Sequence, residues 1–378
     1  MHLAAWRGIV LALALPAGAF TPAVVLAQAG LYVTPFVSVA EVYDDNLFAT
    51  PSHREADFIS RVSPGIQAGY RTAPLTLEAR YSFDAEIYAR HPEMNDAQVR
   101  QAASLDFRYL PNRALTLSAN VVYSETHIPR ELNLETGLAS GRARASRLSF
   151  RPSLAYRFDS RTNGTGGYTV TKDGVIGGIA TLTHAITLDF DRRLTARDTG
   201  HLGYQLRQSE FDGADTTMSH AFTLGWTREL TPQTSLTLRA GPRFSEGSVD
   251  PEVSASIRHR LQRGDLSLTY SRSQTTAIGQ AGTAHTESWT ARATVQLMRS
   301  LQVSAAPSFL RSTRDIAVAK VYGVNLDAAY QITTWVSLVG SYRFSLQQGR
   351  LDAPGRSEDI LQNVFLLSLV AVSPSLLD

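Results

Sequence analysis

Residues 216–244 read TTMSHAFTLGWTRELTPQTSLTLRAGPRF. On the second half Leu236, Leu238, Ala240, Pro242 and Phe244 alternate with Ser235, Thr237, Arg239, Gly241 and Arg243. A period of two sends these sets to opposite faces of a sheet. The apolar set carries no charge, and the other carries two arginines. On the first half Phe222, Leu224 and Trp226 face away from Thr223, Gly225 and Thr227. The joining segment 229–233 contains Pro232 and suits a tight reversal. This strand-turn-strand unit recurs to the end of the chain, and no helix-period segment exists to cover its apolar face. One wet face and one uncovered apolar face is the pattern of a barrel whose outside meets lipid.

Residues 1–29 read as a secretory signal peptide. Arg7 gives a positive start, residues 9–15 are an apolar run, and Ala27-Gln28-Ala29 fits a small-x-small cleavage site. The barrel is then expected over residues 30–378. Cysteine is absent, which excludes disulfide stapling and zinc–thiolate sites. A formal charge of +2 gives no general case for nucleic acid. Lys172 and Lys320 are the only lysines, so the basic side is almost entirely arginine. Beyond the leader no stretch of apolar residues is long enough for a spanning helix. If this chain sits in a membrane, it does so with strands.

The spacing predicts about 18 strands of roughly 10–14 residues each, with 16 as the alternative. Short connections, such as 72–74, 110–113, 231–233 and 298–300, alternate with longer ones at 44–57, 91–96, 127–142, 275–284 and 347–359. Short turns on one side and long loops on the other are the asymmetry of outer-membrane barrels. Aromatics gather near strand ends, among them Tyr70, Tyr81, Phe107, Tyr109, Tyr156, Phe158, Trp226, Trp289, Tyr330 and Trp335, as in an interfacial girdle. The expected fold is therefore all-β: one transmembrane antiparallel up-and-down barrel with short periplasmic turns and long extracellular loops.

The alternation turns eleven arginines inward: Arg80, Arg108, Arg147, Arg151, Arg157, Arg207, Arg239, Arg243, Arg258, Arg292 and Arg343. Asp84, Asp106, Asp189 and Asp327 fall on the same face, with Glu78, Glu86 and Asp191. Such charges can brace a wet lumen through ion pairs. They can also favour an anionic or hydroxyl-rich solute, because arginine offers planar bidentate contacts to carboxylates. No histidine pair has metal-ligand spacing, and no nucleophile motif stands out, so neither cofactor, metal nor enzymatic activity is expected. Asp44-Asp45-Asn46 reads as a capped turn rather than a calcium loop.

Two features carry a family resemblance. One is Val33-Thr34-Pro35-Phe36-Val37-Ser38-Val39 followed by Tyr43-Asp44-Asp45-Asn46-Leu47-Phe48. The other is the repeated unit Trp226-Thr227-Arg228-Glu229-Leu230-Thr231-Pro232-Gln233. Together they resemble the outer-membrane β-barrel proteins of Gram-negative exopolysaccharide gene clusters, including those associated with PEP-CTERM sorting (beta-barrel porin 2-like). The resemblance implies a channel that exports a secreted polysaccharide across the outer membrane, with a periplasmic polysaccharide export protein as partner. The alternative is a porin for small solutes, which needs a loop folded into the lumen; residues 127–142 are the candidate. A barrel enzyme and a filled, adhesin-like barrel are the remaining readings. One departure from barrel habit is the ending Val372-Ser373-Pro374, where an aromatic residue commonly closes the last strand.

Overall fold

The computed structural model describes residues 30–139, 141–351 and 359–376. The signal-peptide expectation lies outside the described residues. Eighteen strands follow one another around a closed sheet. The first six are β1 (Gly30–Asp44), β2 (Asp57–Arg71), β3 (Leu75–Tyr88), β4 (Asp96–Tyr109), β5 (Leu115–Thr126) and β6 (Ala145–Arg157). Next come β7 (Thr162–Val175), β8 (Thr181–Arg193), β9 (Asp198–Phe211), β10 (Thr217–Thr231), β11 (Thr234–Ser245) and β12 (Ser248–Leu261). The circuit ends with β13 (Gly264–Thr276), β14 (Thr283–Met298), β15 (Leu301–Arg314), β16 (Ala317–Gln331), β17 (Val336–Gln348) and β18 (Asp359–Val372).

Every neighbour is antiparallel, and β18 returns to β1 in register from Phe36↔Val372 to Asp44↔Val364. The Ser373 and Leu376 amides extend this seam by donating to the Pro35 and Val33 carbonyls, at 2.9 and 2.8 Å. Closure leaves no strand edge, so the ladder satisfies the backbone groups of every strand without water. On the outer side of the seam Phe365 stacks on Tyr342 at 4.5 Å and leans toward Tyr43 at 6.4 Å.

The residues of the opening stretch occupy β10 and β11, where Trp226 faces Leu238 and Leu224 faces Ala240. Strand β10 runs on to Thr231, so the reversal itself is only Pro232-Gln233, with a register shift between Glu229 and Thr231. The outward set stays bare: Leu224 is 70% exposed, and Leu188, Leu202, Phe222 and Leu367 are exposed with it. A soluble fold buries such residues, and a contiguous apolar surface this wide calls for a partner or a membrane. Strands of about 14 residues at about 3.3 Å each, tilted by about 45°, rise about 33 Å, enough to cross a band of about 25 Å with an interfacial margin at each end.

The inner face is less uniformly wet than the alternation suggests. Val42, Ile59, Val364 and Leu366 point inward near the long-loop end and pack with Leu47, Phe48 and Met94 from the loops. Lower on β1, the Phe36 and Tyr32 rings lie over Gly65 and Gly69 of β2, positions where a Cβ would collide with them. Arg80 then stacks on Phe36 at 4.3 Å. Within the run 364–372, Val364 and Leu366 face this inner patch, and Phe365, Leu367 and Leu369 face outward.

We expect Leu224→Arg to cost about 2–4 kcal/mol for the barrel in lipid, whereas inward Thr237→Arg costs about 1 kcal/mol or less. Equilibrium refolding into lipid vesicles against urea measures both; equal costs would contradict the assignment of faces.

Candidate functional site

A closed sheet of 18 strands spaced about 4.8 Å apart and tilted by about 40° is about 35 Å across. Such a width leaves a lumen, and what fills it decides what passes. The connection of residues 127–144, between β5 and β6, does not extend away from the barrel. It enters through a short 3-10 turn at Pro129–Glu131 and crosses to the opposite wall. Its Ala139 amide donates to Gln347 Oε1 of β17 at 2.7 Å. Its Leu138 enters a cup made by Ala277, Ala284, Ala317, Ala319, Val321 and Leu351, with Leu310 against it.

The crossing loop is pinned on both sides. At its root Arg147 pairs with Asp173 at 2.6 Å and gives a second bond to the Leu132 carbonyl at 2.8 Å. Glu131 takes Arg100 at 2.9 Å and the Thr126 hydroxyl at 2.7 Å. Glu86, with a side chain only 1% exposed, collects Arg61 at 2.7 Å, Arg100 at 3.5 Å and Arg142 at 4.0 Å, and accepts the Tyr88 hydroxyl. Three arginines around one buried carboxylate tie β2, β3, β4 and the loop into one network. At mid-loop the Ile278 amide, on the β13–β14 connection, donates to Asn133 Oδ1 at 2.8 Å. Ile278 packs on Leu132, Ala145 and Val175. The neighbouring Gly279 carbonyl accepts the Ile179 amide, from the β7–β8 connection, at 3.1 Å. Three connections therefore interlock inside the long-loop end.

Arg130 rides on the crossing loop. It reaches Ser345 Oγ and, at 3.4 Å, Gln362 Oε1, on β17 and β18. Burial, and then the charge of Arg343, push its pKa down to about 10. It stays charged at neutral pH, so the loop carries a cation into the lumen with no carboxylate within ion-pair distance among the described residues.

The eleven arginines singled out above all alternate with the exposed apolar positions, and they divide by height. Near the interlocked loops Arg147, Arg207 and Arg243 are withdrawn: Arg207 donates to the Gln274 carbonyl at 2.5 Å, and Arg243 pairs with Glu252. Lower down Arg239 pairs with Asp189 at 2.9 Å and Arg258 approaches Asp265 at 3.9 Å. Arg151 donates to Ser149 Oγ at 3.0 Å. Arg108, Arg157, Arg292 and Arg343 are exposed and make no ion pair among the described residues. Of the four aspartates, Asp84 approaches Arg61 at 3.6 Å, Asp106 accepts from Asn120 at 2.8 Å and Asp327 accepts from Ser304 at 3.2 Å. Arg61, Arg100, Arg130 and Arg142 were not singled out from the sequence. Parity would have found Arg61 and Arg100; nothing local marks a loop arginine as one that turns inward.

Asp44-Asp45-Asn46 is a capped turn: the Asn46 amide donates to Asp44 Oδ1 at 3.0 Å, and Asn46 Nδ2 donates to the Thr50 carbonyl at 2.8 Å. Gln362 and Asn363 hold the two aspartates from β18. Next to this turn His91, between β3 and β4, bonds Asp57 at 2.7 Å and Glu55 at 2.9 Å. Both bonds favour the protonated ring and raise its pKa above 6.5.

No family model matches the chain, and no curated relative does. Solved structures that share the architecture include Acinetobacter baumannii OccAB4, with 10% identity, 92% of this chain and 99% of that one covered, and a TM-score of 0.49. Pseudomonas aeruginosa OccK5 (OpdH) gives 12%, 91%, 99% and 0.48 in the same order. The siderophore receptor PirA of Pseudomonas aeruginosa gives 8%, 90%, 80% and 0.46. Nothing about the solute of this chain follows from these likenesses.

Two outcomes test the site. Leu138→Asp places an unpaired charge in the apolar cup and should release the crossing loop, raising single-channel conductance while leaving the strand ladder folded; unchanged conductance would contradict the latch. The His91 clamp, having a raised pKa, is fully formed below about 6.5 and is lost as pH rises through the raised value. Amides 89–95 should therefore exchange faster above that value in the native chain and show no such step in His91→Gln.

Proposed function

We propose that this protein is a passive porin-type channel of a Gram-negative outer membrane, taking small hydrophilic solutes with a preference for anions. The observation that carries this reading is the crossing loop: an apolar outside and a charged inside could belong to any barrel channel, but a loop seated across the lumen sets a narrow path. The short turns then face the periplasm and the long loops the exterior, and lipid is the partner of the outer wall.

The anion preference rests on where charge is left over. Arg130 and Arg343 stand together beside the loop, and Arg108, Arg157 and Arg292 are free on the wall below. Several inward acids are neutralised by arginine: Asp189 holds Arg239, Glu252 holds Arg243, and Asp173 holds Arg147, while Asp106 and Asp327, bonded only to Asn120 and Ser304, offset part of the surplus. Unpaired guanidinium groups lining a water-filled route lower the barrier for anions and raise it for cations. Guanidinium groups suit carboxylates well, through paired N–H donors.

Polysaccharide export, with a periplasmic export protein as partner, is what the resemblance implies. No feature of the described barrel favours it: a polymer would have to unseat Leu138, break the Asn133–Ile278 bond and part the loops before entering.

Planar-bilayer recording tests the proposal. Under a KCl gradient the reversal potential should report chloride as the more permeant ion. Replacing Arg108, Arg157, Arg292 and Arg343 together with Gln should move it toward zero selectivity with conductance of the same order. No conductance from chain inserted in the bilayer, or selectivity unaffected by the four substitutions, would overturn it.

A further inference from the structure

The outer wall carries charges that the channel does not use. Arg272 of β13, Glu287 of β14, Arg311 of β15 and Lys320 of β16 lie directly opposite one another, forming a single row across four strands. All four have the parity of the outward set. Glu287 stands 3.5 Å from Arg272 and 3.8 Å from Arg311, long separations that leave the row with three cations against one acid. Two residues nearer the short-turn end comes a second row, Tyr270, Trp289, Phe309 and Tyr322. Its rings pair at 4.7 Å and 5.0 Å. Farther down the same face, the wall is hollowed by about 750 Å³. Ala293, Ala305, Ala328, Gly340, Tyr342 and Phe365 line this hollow, and at its β1 side Glu41 accepts the Ser60 hydroxyl at 2.7 Å.

We propose that this face is a binding site for a phosphate-bearing lipid of the outer leaflet. The cation row would hold the phosphate, the aromatic row would sit at the glycerol or sugar level, and an acyl chain would lie in the hollow. The inference rests on the membrane reading above. The order of the three layers is that of the lipid itself: charge, interface, hydrocarbon. Arginine suits the phosphate through paired donors, and lysine adds a mobile point charge. The arrangement is particular to this side. Two residues beyond the aromatic level, the outward positions are Gln101 and Glu125 on β4 and β5, and Gln208 and Met218 on β9 and β10. In the first set Arg144 and Glu125 neutralise one another at 2.7 Å, and the second has no cation, so neither presents a surplus of positive charge.

The test uses the detergent-purified chain, with lipid A as probe and native mass spectrometry as readout. The native protein should retain lipid A but not its fully dephosphorylated form. Retention should fall about five-fold for each of Arg272→Gln, Arg311→Gln and Lys320→Gln. Glu287→Gln should raise it, and Lys172→Gln, on another face, should leave it alone. Single variants keep the test alive if the triple variant does not fold, with heat-modifiable gel mobility as the folding check. Equal retention across these variants, or of both lipid forms, overturns the site. Displacement by inorganic phosphate at equal concentration would instead indicate a free-anion site, and a change of oligomeric state in the variants a protein interface; either overturns the lipid. If the native chain is monodisperse without detergent, the membrane reading itself fails. If it needs detergent yet ignores lipid A, only this site does.

Discussion

The β1–β18 seam is the constraint from which the rest of this structure follows. A strand with one bare apolar face cannot leave its edge groups unpaired where no water reaches them, since each costs several kcal/mol in hydrocarbon. Closing the sheet removes both edges at once. Closure then fixes the diameter, the diameter leaves a lumen, and the lumen is narrowed by folding a connection back into it. The crossing loop is thus a consequence of barrel width as much as of its own sequence. An 18-residue connection has the reach, and the alanines on the far wall leave room for Leu138 between them.

The charges inside serve two purposes that height separates. Where loops meet wall, carboxylates and arginines gather: Glu86 faces three guanidinium groups, two of which Asp84 and Glu131 share with it. An ion withdrawn from water in this way holds parts in register, and loss of its partner costs more than the pair contributes. Below, where the lumen is wide and wet, arginines can remain unpaired at little cost because water solvates them. The same residue type therefore braces at one level and is free to meet a solute at another.

Much of the architecture was legible because a period of two is a strong signal when repeated eighteen times. The faces of β3, β6 and β11 follow from alternation alone, and even Gly-rich β7 keeps its parity, with Tyr168 and Val170 outward. Three things were not legible. Inward Val42, Ile59 and Leu366 match the outward residues in type, and only the loops that cover them reveal why the lumen tolerates them. Arg130 and Arg142 lie in a connection without periodicity, where no rule gives direction. The outward row at Arg272, Glu287, Arg311 and Lys320 depends on register between strands, which a single strand's pattern cannot supply. The loop 127–142 was recognisable as the lumen-filling candidate by its length, but its docking site on β13–β17 was not.

The account stands on hydrocarbon sheltering the outer wall, and the chain's own tryptophans can report it. Trp226 and Trp289 have the outward parity, and Trp289 is exposed, as is Trp335 in the turn before β17. Refolded into vesicles of lipid brominated along the acyl chains, the protein should lose much of its tryptophan fluorescence relative to unbrominated vesicles. Equal fluorescence in the two lipids, from chain that has folded, would contradict the account.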